Sequence, residues 1–360
     1  MYLYPYGATQ PENIETITDN LDEVHKRLWA LKKKSSMEDG PLLVFYDQEP
    51  LLGEFNYPLF DHINRLRGPH VLITTEKNSA AADHIKEKYG WDVVYYFHHI
   101  FAAHDWFRGS EFDFRLVPVS KRKLVKKYIT FNRLTSAGRC YRSLLISELV
   151  KKDLLGCGYV SYNDICPENN QNYVHNLAAA RSQGLITQEL FVEAASNISK
   201  APLPLRIDYK DQITIPNHSF VLSAAAESQE SFCYVVTETC YWEKKCHLTE
   251  KIFKPIVSRM PFLLLAPAHN LKYLQSYGFK TFNQWWDESY DSIEDPVQRL
   301  QAVTKVLEDI CSRSLDELET MLLEMGPVLE YNYRLFYSQK FLDDAWQELI
   351  NGIKAVVDPI

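Results

Sequence analysis

The chain has 360 residues and a net charge of −8, with the apolar and charged fractions of a globular protein, and this length suits two domains rather than one core. The acidic balance disfavours a general binder of polyanions but leaves room for a local basic cleft. No apolar run approaches the length of a membrane span, "MYLYPYGATQPENIE" lacks the features of a signal peptide, and seven cysteines without close CxxC pairs imply reduced thiols and a cytoplasmic setting.

In chain order, "PLLVFYDQEP" reads as a strand that ends in acids and "NYPLFDHINRL" as a short helix. "HVLITTE" is a second strand. It is followed by the helix "KNSAAADHIKEKYG", with Gly90 as the residue that ends it. "WDVVYYFHH" is a third strand. Strands alternating with helices at this spacing indicate a parallel α/β layer. The basic segment "VSKRKLVKKYITFNRLTSAGRCYR" opens a second unit, with "YITFN" as its first strand, a helix from Arg139 to Lys152 and "GYVSYN" as a further strand or edge. Residues 164 to 218 read as irregular apart from a helix near Thr187 to Asn197. Then come strand "FCYVVTET", a helix opened by "TEK", strand "PFLLLA", helix "AHNLKYLQSYG" and strand "KTF". Beyond Pro296 the chain is mostly helical and closes on "FLDDAWQELINGIKAVV".

The pattern gives two Rossmann-like α/β domains facing a central cleft, with a carboxyl-terminal helical segment: residues 1–125, 126–335 and a closing helix over 336–360. Ligands of such sheets sit beyond the carboxyl ends of the strands, and a two-domain chain has its natural site in the cleft.

Two segments carry anion-binding chemistry. Arg133 directly follows "YITFN", and Arg139 and Arg142 are spaced to share a helical face. Guanidinium forks suit phosphate oxygens, although a structural ion pair is the competing role. Glu238 and Thr239 end a buried strand. Thr249 is placed to cap the next helix, whose first turn then offers free N–H groups to an anion. Glu250 either complements the helix dipole or grips sugar hydroxyls, while Lys251 and Lys254 sit where cations gain little from that dipole. An expected phosphate explains them. The lysine run from Lys121 to Lys127 reads first as a solvated linker. Trp285 and Trp286 read as packing residues before sugar platforms. Cys233, Cys240, Cys246 and His247 match none of the usual zinc spacings.

The strand, "TEKIFKPI" and "PFLLL" together resemble the donor-nucleotide motif of GT-B glycosyltransferases, most closely the α-1,3-fucosyltransferase family and its phage and viral relatives. In that family a Ser/Thr-Glu-Lys opens the helix and touches ribose and diphosphate; the matching positions are Thr249, Glu250 and Lys251. "FNRLTSAGRCYR" looks like the family's Asn/Arg element at Asn132, Arg133, Arg139 and Arg142. The likeness covers about residues 127 to 300. It implies a nucleoside diphosphate sugar, GDP- or UDP-linked, as co-substrate, with no permanently bound cofactor and no metal, and a glycan acceptor. Viral relatives leave DNA bearing a hydroxylated base as an alternative acceptor. A nucleotide-sugar- or glycan-binding protein without catalysis is the other alternative.

An inverting transfer needs a group that takes the acceptor's proton. The amino-terminal half offers Glu49 first, then Asp47, whose side chains share a face if the strand continues. "FHHIFAAHDWF" offers His98, His99, His104 and Asp105, of which His104 with Asp105 is preferred.

Overall fold

The computed structural model describes residues 41–51, 53, 56–65, 70–108, 116–207, 222 and 224–357, with positions 27, 30 and 31. The segment read for a signal peptide lies outside them. The chain is α/β, with parallel sheets, and divides into two compact units.

The first unit runs through Arg108 and takes back residues Lys244–Glu250 and Tyr337–Ile360. It opens with β1 (Leu42–Tyr46), α1 (Tyr57–Ile63), β2 (His70–Thr74), α2 (Ala80–Tyr89), β3 (Asp92–Tyr95) and α3 (His98–Phe107). The strands pair in parallel in the order β1-β2-β3. The central strand, "HVLIT", is buried at every position, as a parallel strand covered on both faces requires. Ser79 caps α2 by accepting from the Ala82 N–H. Gly90, at φ 69°, ends it in the left-handed conformation, as the sequence indicated. "FHH" does not extend β3. Tyr95 is the strand's last residue, and His98 and His99 open α3 instead.

The second unit comprises Gly109–Glu243 and Lys251–Phe336. Its elements are β4 (Lys126–Asn132), α4 (Tyr141–Lys151), β5 (Gly158–Tyr162), β6 (Ile165–Cys166), β7 (Gln171–Asn172), α5 (Tyr173–Ser182), α6 (Gln188–Ile198), α7 (Ala225–Gln229), β8 (Ser231–Thr237), α8 (Glu250–Val257), β9 (Phe262–Leu265), α9 (Asn270–Ser276), α10 (Pro296–Ser312) and α11 (Leu315–Phe336). The main sheet is parallel, in the order β5-β4-β8-β9. β8, "SFCYVVT", is buried throughout. Because β5 lies on one side of β4 and β8 on the other, the order reverses between β4 and β8, and the crevice beyond their carboxyl ends is the switch point where ligands bind in open sheets.

The boundary between the units thus falls at Arg108 rather than near residue 125. The closing helix α12 (Gln339–Val357) belongs to the first unit, where Gly352 lies against Val94 of β3. Three further readings change. "KTF" forms no strand: the Lys280 N–H donates to Asn332 Oδ1, and Asn332 Nδ2 donates to the Lys280 carbonyl, so a side-chain amide takes the bonds a neighbouring strand would have made. α5 and the β6–β7 pair occupy part of the stretch read as irregular. Arg139 ends a 3₁₀ turn before α4 rather than lying on the helix itself.

Candidate functional site

Two threonines cross-link the strands at the switch point. Thr130 Oγ1 donates to the Val235 carbonyl at 3.0 Å and Thr237 Oγ1 to the Phe131 carbonyl at 3.1 Å. This holds the carboxyl ends of β4 and β8 side by side. Asn132, the last residue of β4, is fully buried. Its Nδ2 reaches Thr130 Oγ1, and its Oδ1 has no hydrogen-bond partner among the described residues. Arg133 follows with an exposed side chain, while its carbonyl accepts from Asn163 Nδ2. On the β8 side, Glu238 is buried and its Oε2 accepts from the Thr239 N–H. Lys251, in the first turn of α8, donates from Nζ to Thr239 Oγ1 at 3.1 Å. The switch point therefore gathers Asn132, Arg133, Glu238, Thr239 and Lys251.

The helix start behaves partly as expected. α8 begins at Glu250, and Thr249 and Glu250 are both buried while Lys251 and Lys254 are half-buried. Pro255 lies inside the helix. By compactness Thr249 and Glu250 group with the first unit and Lys251 with the second.

Two expected phosphate ligands are otherwise engaged. Arg142 is 4% exposed, and its guanidinium donates to the carbonyls of Leu134, Thr237 and Glu238 at 2.9 to 3.0 Å and to Tyr141 Oη. It fastens α4 to the ends of both strands and cannot also grip a diphosphate. Arg139 forks onto both oxygens of Glu168 at 2.8 Å. Burial pushes against ionisation of Glu168, but Ser136 and Arg139 hold its carboxyl below the usual range. This is the structural ion pair the sequence left open.

Sequence reasoning missed Arg299. Buried at 2% exposure, it donates to the carbonyls of Ala266, just past β9, and Tyr241, just past β8. Its ring contact, with the guanidinium 4.7 Å over Tyr241, continues into the Tyr241–Tyr141 stack at 4.2 Å. Nothing in the local pattern of α10 distinguishes Arg299 from a surface arginine: Ile293 and Glu294 also offer it carbonyls nearby, but the strand-end carbonyls of Ala266 and Tyr241 lie 33 and 58 residues back.

The lysine run is held by its own unit. Arg122 donates to the carbonyls of Val117, Ser258 and Arg259, and burial beside Arg259 pushes its guanidinium down to about 9. Lys123 pairs with Glu319, and Lys126 and Lys127 donate to the carbonyls of Gly156 and Cys311. These partners all lie within the second unit. Trp285 and Trp286 pack on Phe282, with centroids 6.3 and 5.2 Å away.

At the carboxyl ends of the first sheet lies a second polar cluster. Asp47, directly after β1, is 1% exposed. Its Oδ2 accepts a short hydrogen bond from Tyr96 Oη, and Tyr96 lies 2.9 Å from His98 Nδ1. Glu49 is half-buried beyond the strand, so the alternation that would have put it on Asp47's face does not continue. The other preferred pair lies elsewhere on α3. His104 meets the Tyr337 ring at 5.8 Å, and Asp105 pairs with Arg108 one turn on. Nearby, Glu76 is buried with Lys245 at 2.8 Å, and the backbones of Lys77 and Cys246 exchange two hydrogen bonds.

Among the described residues no group of His, Cys, Asp and Glu is arranged to hold a metal ion, and no helix is long and apolar enough to cross a membrane. No protein-family model matches the chain, and neither the curated proteins nor the solved structures hold a match to it.

Proposed function

We propose that the chain is a glycosyltransferase of the two-domain GT-B type, moving a sugar from a nucleoside diphosphate sugar to a hydroxyl of a glycan acceptor. The observation that carries this reading is the β4/β8 switch point, where Arg133 follows β4 with an exposed side chain, Lys251 in the first turn of α8 donates to Thr239 just past β8, and the buried Asn132 Oδ1 has no hydrogen-bond partner among the described residues. Arg133 and Lys251 supply charge-assisted hydrogen bonds to the diphosphate, each contributing about 1.5–3 kcal/mol. Arg142 and Arg299 add positive field from beneath without touching the ligand. As the bond to the sugar breaks, negative charge gathers on the leaving diphosphate, and the same groups stabilise it. Basic residues and the α8 terminus fill the role a metal ion would otherwise serve.

A thermal-shift panel of GDP, UDP, ADP and CDP, without and then with magnesium, tests the reading. At a hundred times its dissociation constant a nucleotide adds about 2.7 kcal/mol of stability. One of the four is expected to stabilise the protein without metal and to lose that effect in Arg133→Ala and Lys251→Ala. Flat curves for all four would reduce the switch point to a packed strand edge.

A further inference from the structure

A cavity of about 320 Å³ lies wholly within the second unit and is lined by none of the switch-point residues. Lys272 and Gln275 of α9 contribute to its wall, with Trp286, Asp287, Glu288 and Asp291 from the loop that follows. The chain itself fixes the three carboxylates. Asp287 accepts from the Ser289 N–H and hydroxyl, Glu288 from the Phe282 N–H and the Thr281 hydroxyl, and Asp291 from the N–H groups of Leu271 and Lys272, all at 2.6 to 3.1 Å. Each of the six oxygens thus meets one donor and keeps a second lone pair, an arrangement suited to the ionised form.

None of those donors is charged, and among the described residues no lysine, arginine or histidine forms an ion pair with Asp287, Glu288 or Asp291. Lys305 acts on Asp287, and His269 and Arg299 on Asp291, only at longer range. His269 pairs with Glu294, and Arg299 donates to carbonyls. Glu288 has no such help. Burial, then the like charges of Asp291 and Asp287, push its carboxyl up against the two bonds that hold it down. A half-buried carboxylate without a counter-ion is costly until one is supplied. Trp286 gives the cavity an aromatic wall. Its indole packs on Phe282 at 5.2 Å, and its Nε1–H has no hydrogen-bond partner among the described residues. Indole is the aromatic ring best suited to a neighbouring cation, and its apolar face accepts hydrocarbon.

We propose that this cavity binds an amino sugar in its ammonium form, with the charged nitrogen against Glu288 and its neighbouring carboxylates and the sugar carbons against Trp286. An ammonium group brings three donors to oxygens that each hold a spare lone pair. Among the described residues no group of His, Cys, Asp and Glu is arranged to hold a metal ion instead. The hydroxyls of the ring meet the polar side chains of Gln275 and Lys272. The site is independent of the nucleotide site.

Two probes of one shape test it on the full chain: glucosamine as the ammonium ion, and glucose. The readout is the Trp286 indole N–H in nitrogen-15 NMR, assigned by its loss in Trp286→Phe. Glucosamine is expected to move this signal saturably, and glucose to bind about tenfold more weakly or worse, the value of replacing a charge-assisted hydrogen bond by a neutral one. Asp287→Asn, at an exposed position, is expected to weaken glucosamine and leave glucose unchanged. Equal affinity for the two probes would make this a neutral-sugar site and overturn the proposal. So would a signal that neither probe moves, or one that magnesium chloride alone moves in the same way. The comparison of probes on the wild type decides the matter whether or not the variant folds. Nucleotide thermal shifts play no part in it, so this proposal and the glycosyltransferase reading fail separately.

Discussion

Arginines near the switch point divide by what their guanidiniums face. Arg142 meets three strand-end carbonyls, and Arg133 is exposed at the end of β4. Arg142→Ala leaves buried acceptors without donors, each costing about 1–3 kcal/mol, so a loss of about 3 kcal/mol is expected in urea unfolding. Lysine should not rescue it, since a point charge cannot reach three acceptors at once. Arg133→Ala is expected to weaken nucleotide binding, read as loss of the nucleotide thermal shift. An Arg142→Ala protein of unchanged midpoint would contradict this division. From sequence the two residues look alike, because the difference lies in β8, which is brought beside β4 only by the fold.

Strand and helix order was largely legible at the level of elements, since central strands of parallel sheets read as continuous apolar runs and Gly90 and Pro255 carry their own backbone constraints. What the pattern could not give was pairing across long separations: the Lys280–Asn332 exchange that replaces a strand, and the Asp47–Tyr96–His98 chain assembled from two strand ends and a helix start. Periodicity records which face of an element is buried, not which partner buries it. A related tight fit is Gly158, at the start of β5, where an added Cβ would lie 2.3 Å from the Tyr128 ring. Tyr128 is itself buried and held by a bond to the Leu154 carbonyl. Gly158→Ala is expected to cost about 1–3 kcal/mol through overpacking, read as a lower melting temperature. Unchanged melting would mean that the ring swings aside freely.

At the scale of the whole molecule, the first unit is built from three stretches of chain, and the buried Glu76–Lys245 pair fastens the middle one. Lys245→Ala strands a carboxylate in the interior and is expected to cost about 3–5 kcal/mol in chemical denaturation; a loss below about 1 kcal/mol would show the carboxylate finding another partner. The third stretch, carrying α12, has a different consequence. A ribosome delivers β1, β2 and β3 early, but α12 emerges last. The amino-terminal sheet therefore waits for nearly the whole polypeptide before its own cover arrives, with apolar surface open to aggregation meanwhile. A premature stop shortly before residue 337 would leave the second unit's sequence intact and injure the half of the protein made first.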